Sequence, residues 1–120
     1  MIAIIFEVWP KEGQKDAYLK RAAALRPSLD EIPGFHSVER FESLTEPGKL
    51  LSVSFFEDES ALKHWRNLPD HRAAQDAGRN MHFADYRLRV SNVARDYSMT
   101  ERDQAPEDSQ AVHCPVKDDL

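Results

Sequence analysis

Cysteine is almost missing from this chain. Cys114 stands alone, which excludes an internal disulfide and any multi-thiolate metal site. A lone thiol fits a reducing compartment, so a cytoplasmic protein is expected. Glycine is scarce as well. Gly13, Gly34, Gly48 and Gly78 are isolated, so there is no glycine-rich phosphate loop and no dinucleotide or flavin fingerprint. No apolar run approaches the length of a membrane span. The amino-terminal M-I-A-I-I-F-E-V-W carries no basic leader, so neither a membrane partner nor secretion is expected. Positive charge is also short. Sixteen Lys and Arg against 21 Asp and Glu leave a net charge of −5, which argues against a nucleic-acid surface. No serine or cysteine sits in a nucleophile context, and no two histidines have ligand spacing with a carboxylate on the same face. Covalent catalysis and a metal site are therefore not expected.

What remains is a chain of 120 residues, 41% hydrophobic and 31% charged, enough for one domain around one core. Met1–Trp9 is apolar on both faces and reads as a central strand ended by Pro10. Tyr18, Ala22, Leu25 and Leu29 form one stripe of a helix over residues 14–31, which Pro27 should kink or split. I-P-G at 32–34 stops it. Phe35–Leu44 and Lys49–Phe56 read as a hairpin joined at T-E-P-G, with the first strand at an edge.

Acidic residues at 57–59 then open a helix running to about Asn67, with Ala61, Leu62, Trp65 and Leu68 facing inward. Pro69 breaks it, and Asp70 is placed to cap a second helix to about Gly78. Phe83–Asp96 reads as a long last strand. Residues 98–120 hold six acids against two basic residues and read as an extended tail. The expected division is a domain over 1–97 and an acidic, proline-containing tail over 98–120.

The order β-α-β-β-α-β is the ferredoxin-like pattern, an α+β fold with a four-stranded antiparallel sheet and helices on one face. The opposite face, to which Phe6, Leu51, Val53, Phe55 and Val90 are assigned, would leave a large apolar surface in water. Two such sheets packed together would bury it, so a symmetric homodimer is expected.

Chemistry concentrates in His64–Arg79, H-W-R-N-L-P-D-H-R-A-A-Q-D-A-G-R. Trp65 can stack on an aromatic substrate or simply fill the core. His71 can act as a base near neutral pH or sit solvated in a first helical turn. His64 should point elsewhere, and His36 and His82 receive no role. Arg87 and Arg89 share one strand face, where they could hold an anion or pair across strands with Glu39 or Glu42. Tyr97 could cover a pocket rim or anchor the tail.

The apolar first strand, G-Q-K-D-A-Y, I-P-G-F, the hairpin, and E-D-E-S-A-L-K-H-W followed by H-R-A-A-Q resemble the antibiotic biosynthesis monooxygenase family over residues 1–96. That resemblance implies a ferredoxin-like protomer pairing into a dimeric α/β barrel. It also implies oxygenation of a small aromatic, such as a quinol or polyketide, by O₂ without flavin or metal; one branch degrades haem. The family's helix tryptophan matches Trp65. The haem-degrading branch carries an asparagine at the position of Phe6 and a histidine at that of Gln75, and both are lost here. His71, one turn before Gln75, could face the same cavity. The expected site is therefore His71 and Trp65 as catalytic residues, with Phe6, Phe55, Gln75, Tyr86 and Tyr97 lining the pocket and no cofactor. A non-catalytic ligand-binding dimer is the alternative, and haem binding a weaker one.

Overall fold

The computed structural model of the chain describes residues 1–113; Cys114, for which no role was assigned, lies outside them. Strand β1 (Ile2–Pro10) is apolar on both sides because it runs inside the sheet. It lies between β3 (Leu50–Phe56) and β4 (Phe83–Asn92), with β2 (Phe35–Glu42) at the far edge. Every pairing in the order β2-β3-β1-β4 is antiparallel. This is the four-stranded α+β arrangement that the element order implied.

The connections follow from local chemistry. The helix expected over 14–31 divides into α1 (Lys15–Ala24) and α2 (Arg26–Asp30). Pro27 falls in the first turn of α2, where its missing N–H has no partner to lose. Tyr18, Ala22 and Leu29 of the stripe are buried. In the hairpin, the Lys49 N–H donates to the Glu46 carbonyl at 3.2 Å, and Gly48 between them has φ +85°. That is a type II turn, with Pro47 at its first central position.

Asp58 caps α3 (Glu59–Arg66), its Oδ1 accepting from the Ala61 N–H at 3.0 Å. The second cap differs from expectation. Pro69 is itself the first residue of α4 (Pro69–Ala77), so the cap position falls on Leu68, and Asp70 lies inside the first turn.

Beyond Ala77 the chain does not unwind into a loop. It continues as a π-helical turn, Gly78–His82, that leads straight into β4. Gly78 is required there by contact rather than by conformation. A Cβ on it would lie 2.4 Å from a carbon of the Phe83 ring.

Ile2, Ile4 and Phe56 of the sheet pack with Leu29, Ile32, Ala61 and Trp65 in the main core. Val8, Tyr18 and Leu50 form a second cluster, flanked by Phe6 and Phe83. Phe56 at 1% exposure and Val8 at 0% are the most enclosed side chains, each stabilising the fold by about 2–3 kcal/mol through burial alone.

The register corrects one assignment of faces. Phe6 lies opposite Ser52 and Leu88, and Val90 lies opposite Ile4, so both follow Ile4 onto the helix side. The open face carries Ala3, Ile5, Leu51, Val53 and Phe55 instead, because a period of two separates Phe6 from its neighbours Ile5 and Glu7.

The last strand stops at Asn92, short of the expected Asp96. The segment after it is not simply extended. Proline at 106 and acids at 107 and 108 start a short helix, α5 (Glu107–Val112). Arg102 bonds back to the Ser98 carbonyl and the Ser109 hydroxyl, and Ala105 is buried. The Cα radius of gyration, 17.8 Å, exceeds the roughly 14 Å of a compact chain of this length, so the molecule is elongated.

Candidate active site

A cavity of about 550 Å³ lies between the sheet and the helical unit α1, α3, α4 and the π turn. Its floor is the helix-side face of the sheet: Ile4 and Phe6 of β1, Ser52, Ser54 and Phe56 of β3, and Tyr86, Leu88 and Val90 of β4. Because β4 is an edge strand, Leu88 and Val90 stay 52% and 44% exposed, and the cavity opens along them.

Trp65, on the last turn of α3, closes one wall. It is 8% exposed and belongs to the main core, yet it also borders the cavity. The two roles proposed for it are not exclusive. His71, two residues into α4, lies against it with ring centroids 4.3 Å apart and planes tilted by 53°. The two rings meet across the break at Pro69, where α3 ends and α4 begins.

His71 Nδ1 is buried with no hydrogen-bond partner. Burial, with the Arg72 guanidinium adding to it, pushes the imidazole from 6.5 down to about 4. At neutral pH this ring is uncharged and its free nitrogen is able to accept a proton.

A second histidine, which sequence reasoning left without a role, borders the same space. His82 ends the π turn and is 4% exposed. Its Nδ1 meets Gln14 Oε1 at 3.0 Å, while Nε2 is buried and unpartnered. Around it Phe6, Tyr18, Phe83 and Tyr86 form an aromatic cluster with centroid separations of 5.2–5.9 Å, mostly edge to face. Nothing local in the sequence marks His82. Only the π turn aims it, and Gly78 was the single hint.

Of the expected lining residues, Phe6, Trp65, His71, Gln75 and Tyr86 share the cavity. Two do not. Phe55 lies on the open face of the sheet, one residue out of phase with Ser54 and Phe56. Tyr97 is 43% exposed and stacks on the Arg102 guanidinium at 5.1 Å in the carboxy-terminal segment.

The expected pairing of Arg87 and Arg89 with Glu39 or Glu42 is also overturned, since β4 and β2 occupy opposite edges. Arg89 instead pairs with Glu7 on the adjacent strand, at 2.9 Å, and Lys49 shares that carboxylate at 3.1 Å. Another hollow, in the carboxy-terminal segment, is lined by polar and charged side chains such as Asp96, Glu101 and Asp103 and lacks the apolar walls of a ring-binding site.

Against this geometry, the sequence matches the profile of the family described as antibiotic biosynthesis monooxygenase over residues 1–77. The chain belongs to the antibiotic biosynthesis monooxygenase family. It is 46% identical over 93 residues to the jasmonate monooxygenase ABM of Pyricularia oryzae, covering 78% of this chain and 43% of that protein. The chain thus spans less than half the length of that relative. The uncharacterized protein YqjZ of Bacillus subtilis is 35% identical over 93 residues, covering 78% and 79% of the two chains. Among solved structures, Rv0793 of Mycobacterium tuberculosis superposes with a TM-score of 0.72 at 18% identity, covering 81% of this chain and 98% of that one. The fold is therefore that of the family, and the match over 1–77 takes in the Phe6, Trp65 and His71 side of the cavity, while Phe83 and Tyr86 lie beyond it.

Among the described residues no three His, Cys, Asp or Glu side chains cluster as metal ligands would. No helix among them is long and apolar enough to cross a membrane.

Proposed function

We propose that the protein is a monooxygenase that uses O₂ on a small ring-bearing substrate, such as a quinol or polyketide-like aromatic, and needs no flavin or metal. The observation that carries this reading is the uncharged His71, a ring that lines an apolar cavity beside Trp65 and makes no hydrogen bond through its Nδ1. In this scheme the substrate stacks in the aromatic cluster and His71 takes its acidic proton. The resulting phenolate or enolate passes an electron to O₂. Recombination adds oxygen to the ring carbon, and loss of water leaves the ketone or quinone, so one O₂ yields one oxygenated product and one water.

A base with a pKa near 4 facing a phenol near 10 meets an uphill transfer of about 8 kcal/mol, which is affordable within a barrier near 16 kcal/mol for turnover of order 10 per second. Positive charge around the cavity lowers that slope by favouring the substrate anion.

The working unit in this proposal is a cytoplasmic homodimer paired through Ile5, Leu51, Val53 and Phe55 on the open face of the sheet. On this proposal the carboxy-terminal segment from 98 onward is a tail separate from the domain of 1–97.

Oxygen uptake with a panel of hydroquinones and anthrones, together with jasmonate, tests the reading. Uptake with at least one of them, reduced at least tenfold in His71→Gln, is expected. No uptake with any would overturn it. A non-catalytic binding dimer is the second reading, favoured by the apolar Phe6 at a first-strand cavity position. It predicts ligand-induced thermal stabilisation that His71→Ala leaves unchanged. Haem degradation is not favoured, because Phe6 and Gln75 stand where that chemistry needs an asparagine and a histidine.

A further inference from the structure

The chain is acidic overall, with a net charge of −5, yet its cavity is ringed by arginine. Arg21, Arg40, Arg66, Arg72 and Arg79 all border it, with Asp76 as the only carboxylate among the described residues. None of the five forms an ion pair among the described residues.

Asp76 makes this telling. It stands four residues after Arg72 and three before Arg79, within helical reach of both, and pairs with neither. Arg72 instead donates to Asn67 Oδ1 at 2.6 Å and to Gln75 Oε1 at 3.2 Å, and Arg79 donates to the Tyr86 hydroxyl at 2.8 Å. Neutral acceptors fix the direction of a guanidinium without cancelling its charge. Such a cation is preorganised for an anion that arrives from outside.

We infer that the substrate is an organic anion, a carboxylate carried on an apolar ring-bearing body, with Arg72 and Arg79 receiving the carboxylate while the body enters the aromatic cluster. The guanidinium groups of Arg21, Arg40 and Arg66 make no hydrogen bond among the described residues and contribute attraction at longer range. This class is narrower than the family's aromatic substrates, and the inference rests on the cavity being the substrate site.

A matched pair of probes tests it: naphthaleneacetate and its uncharged carboxamide, titrated calorimetrically against the intact protein. The carboxylate is expected to bind about tenfold tighter or more, with a preference that shrinks as salt is raised. The double variant Arg72→Gln/Arg79→Gln should bring the ratio of the two affinities close to one, and Arg72→Lys/Arg79→Lys should retain part of it. Arg40→Gln removes a side chain that bonds to nothing, so it keeps the test open if the double variant fails to fold; it should lower the ratio by a smaller factor. Equal affinities in the unaltered protein would overturn the anion inference and leave the monooxygenase proposal standing. Binding of neither probe would overturn both.

Discussion

His71 concentrates the tension of this site in one side chain. A ring able to accept a proton has been placed where keeping that proton is costly, between Trp65 and Arg72. The same cost is visible in stability. The folded-state pKa of about 4 lies below the ordinary 6.5, so between those values the unfolded chain binds more protons than the folded one. The stability that His71 permits is complete above pH 6.5 and is lost as pH falls toward 4. The full linkage would be about 3 kcal/mol, and the ring's residual solvent contact reduces it to about 2 kcal/mol. Urea denaturation at pH 7 and pH 4.5 should therefore differ less in His71→Gln than in the unaltered protein, by about that amount. An identical pH dependence in both would contradict the account. Trp65 behaves differently, since it is wall and core together: Trp65→Ala should cost about 3–5 kcal/mol, by thermal or chemical denaturation, before any catalytic effect is read.

At the scale of elements, the π turn is the part that organises the rest. It carries Arg79 and His82 and delivers Phe83 into the aromatic cluster. Gly78→Ala would drive a methyl into the Phe83 ring, which is packed between Phe6, Tyr18 and Tyr86 and has little room to retreat. A loss of about 1–3 kcal/mol is expected in denaturant unfolding, with weaker ligand binding alongside it. Unchanged stability would mean that the ring moves freely.

This element was not legible beforehand, whereas its neighbours were. The stripe through Tyr18, Ala22 and Leu29, the turn at Pro47-Gly48 and the break at Pro69 are written in residue types that tolerate few other conformations. A π turn has no such vocabulary. Gly78 reads equally well as a helix stop, and what forbids a side chain there is a ring five residues along.

For the whole molecule, alternation located the sheet but not its inside. β1 is apolar on both faces, so Phe6 and Val90 were assigned to the wrong side until the pairing of Ile4 with Val90 fixed the phase. Phe55 was placed on the correct face but also in the cavity, which lies on the other side of the sheet, and Tyr97 was misplaced because its partner, Arg102, belongs to a segment whose fold the sequence left open. The arginine ring was invisible too. Its members come from α1, β2, α3, α4 and the π turn, and only the closed fold gathers them. The open face yields a prediction at this scale. Val53→Asp puts a charge at the centre of the apolar patch, opposite Ile5, and should convert a dimer to a monomer in sedimentation velocity. A dimer that persists unchanged would locate the pairing surface elsewhere.

Helix α4 contributes no buried residue to the protein, although it forms much of the roof over the cavity. Apart from the His71 ring against Trp65, it lies along the cavity wall, held at Pro69 and again at the π turn. A ligand bound in the cavity would pack against this helix. Amide exchange along residues 69–82 should be fast in the unoccupied protein and slow sharply once a ligand is seated, while the amides of β1, already enclosed, barely change. The occupied molecule would hold together more firmly by about 2.7 kcal/mol at a hundredfold excess of ligand over its Kd. On the proposed function, substrate would be the last piece of this protein's interior.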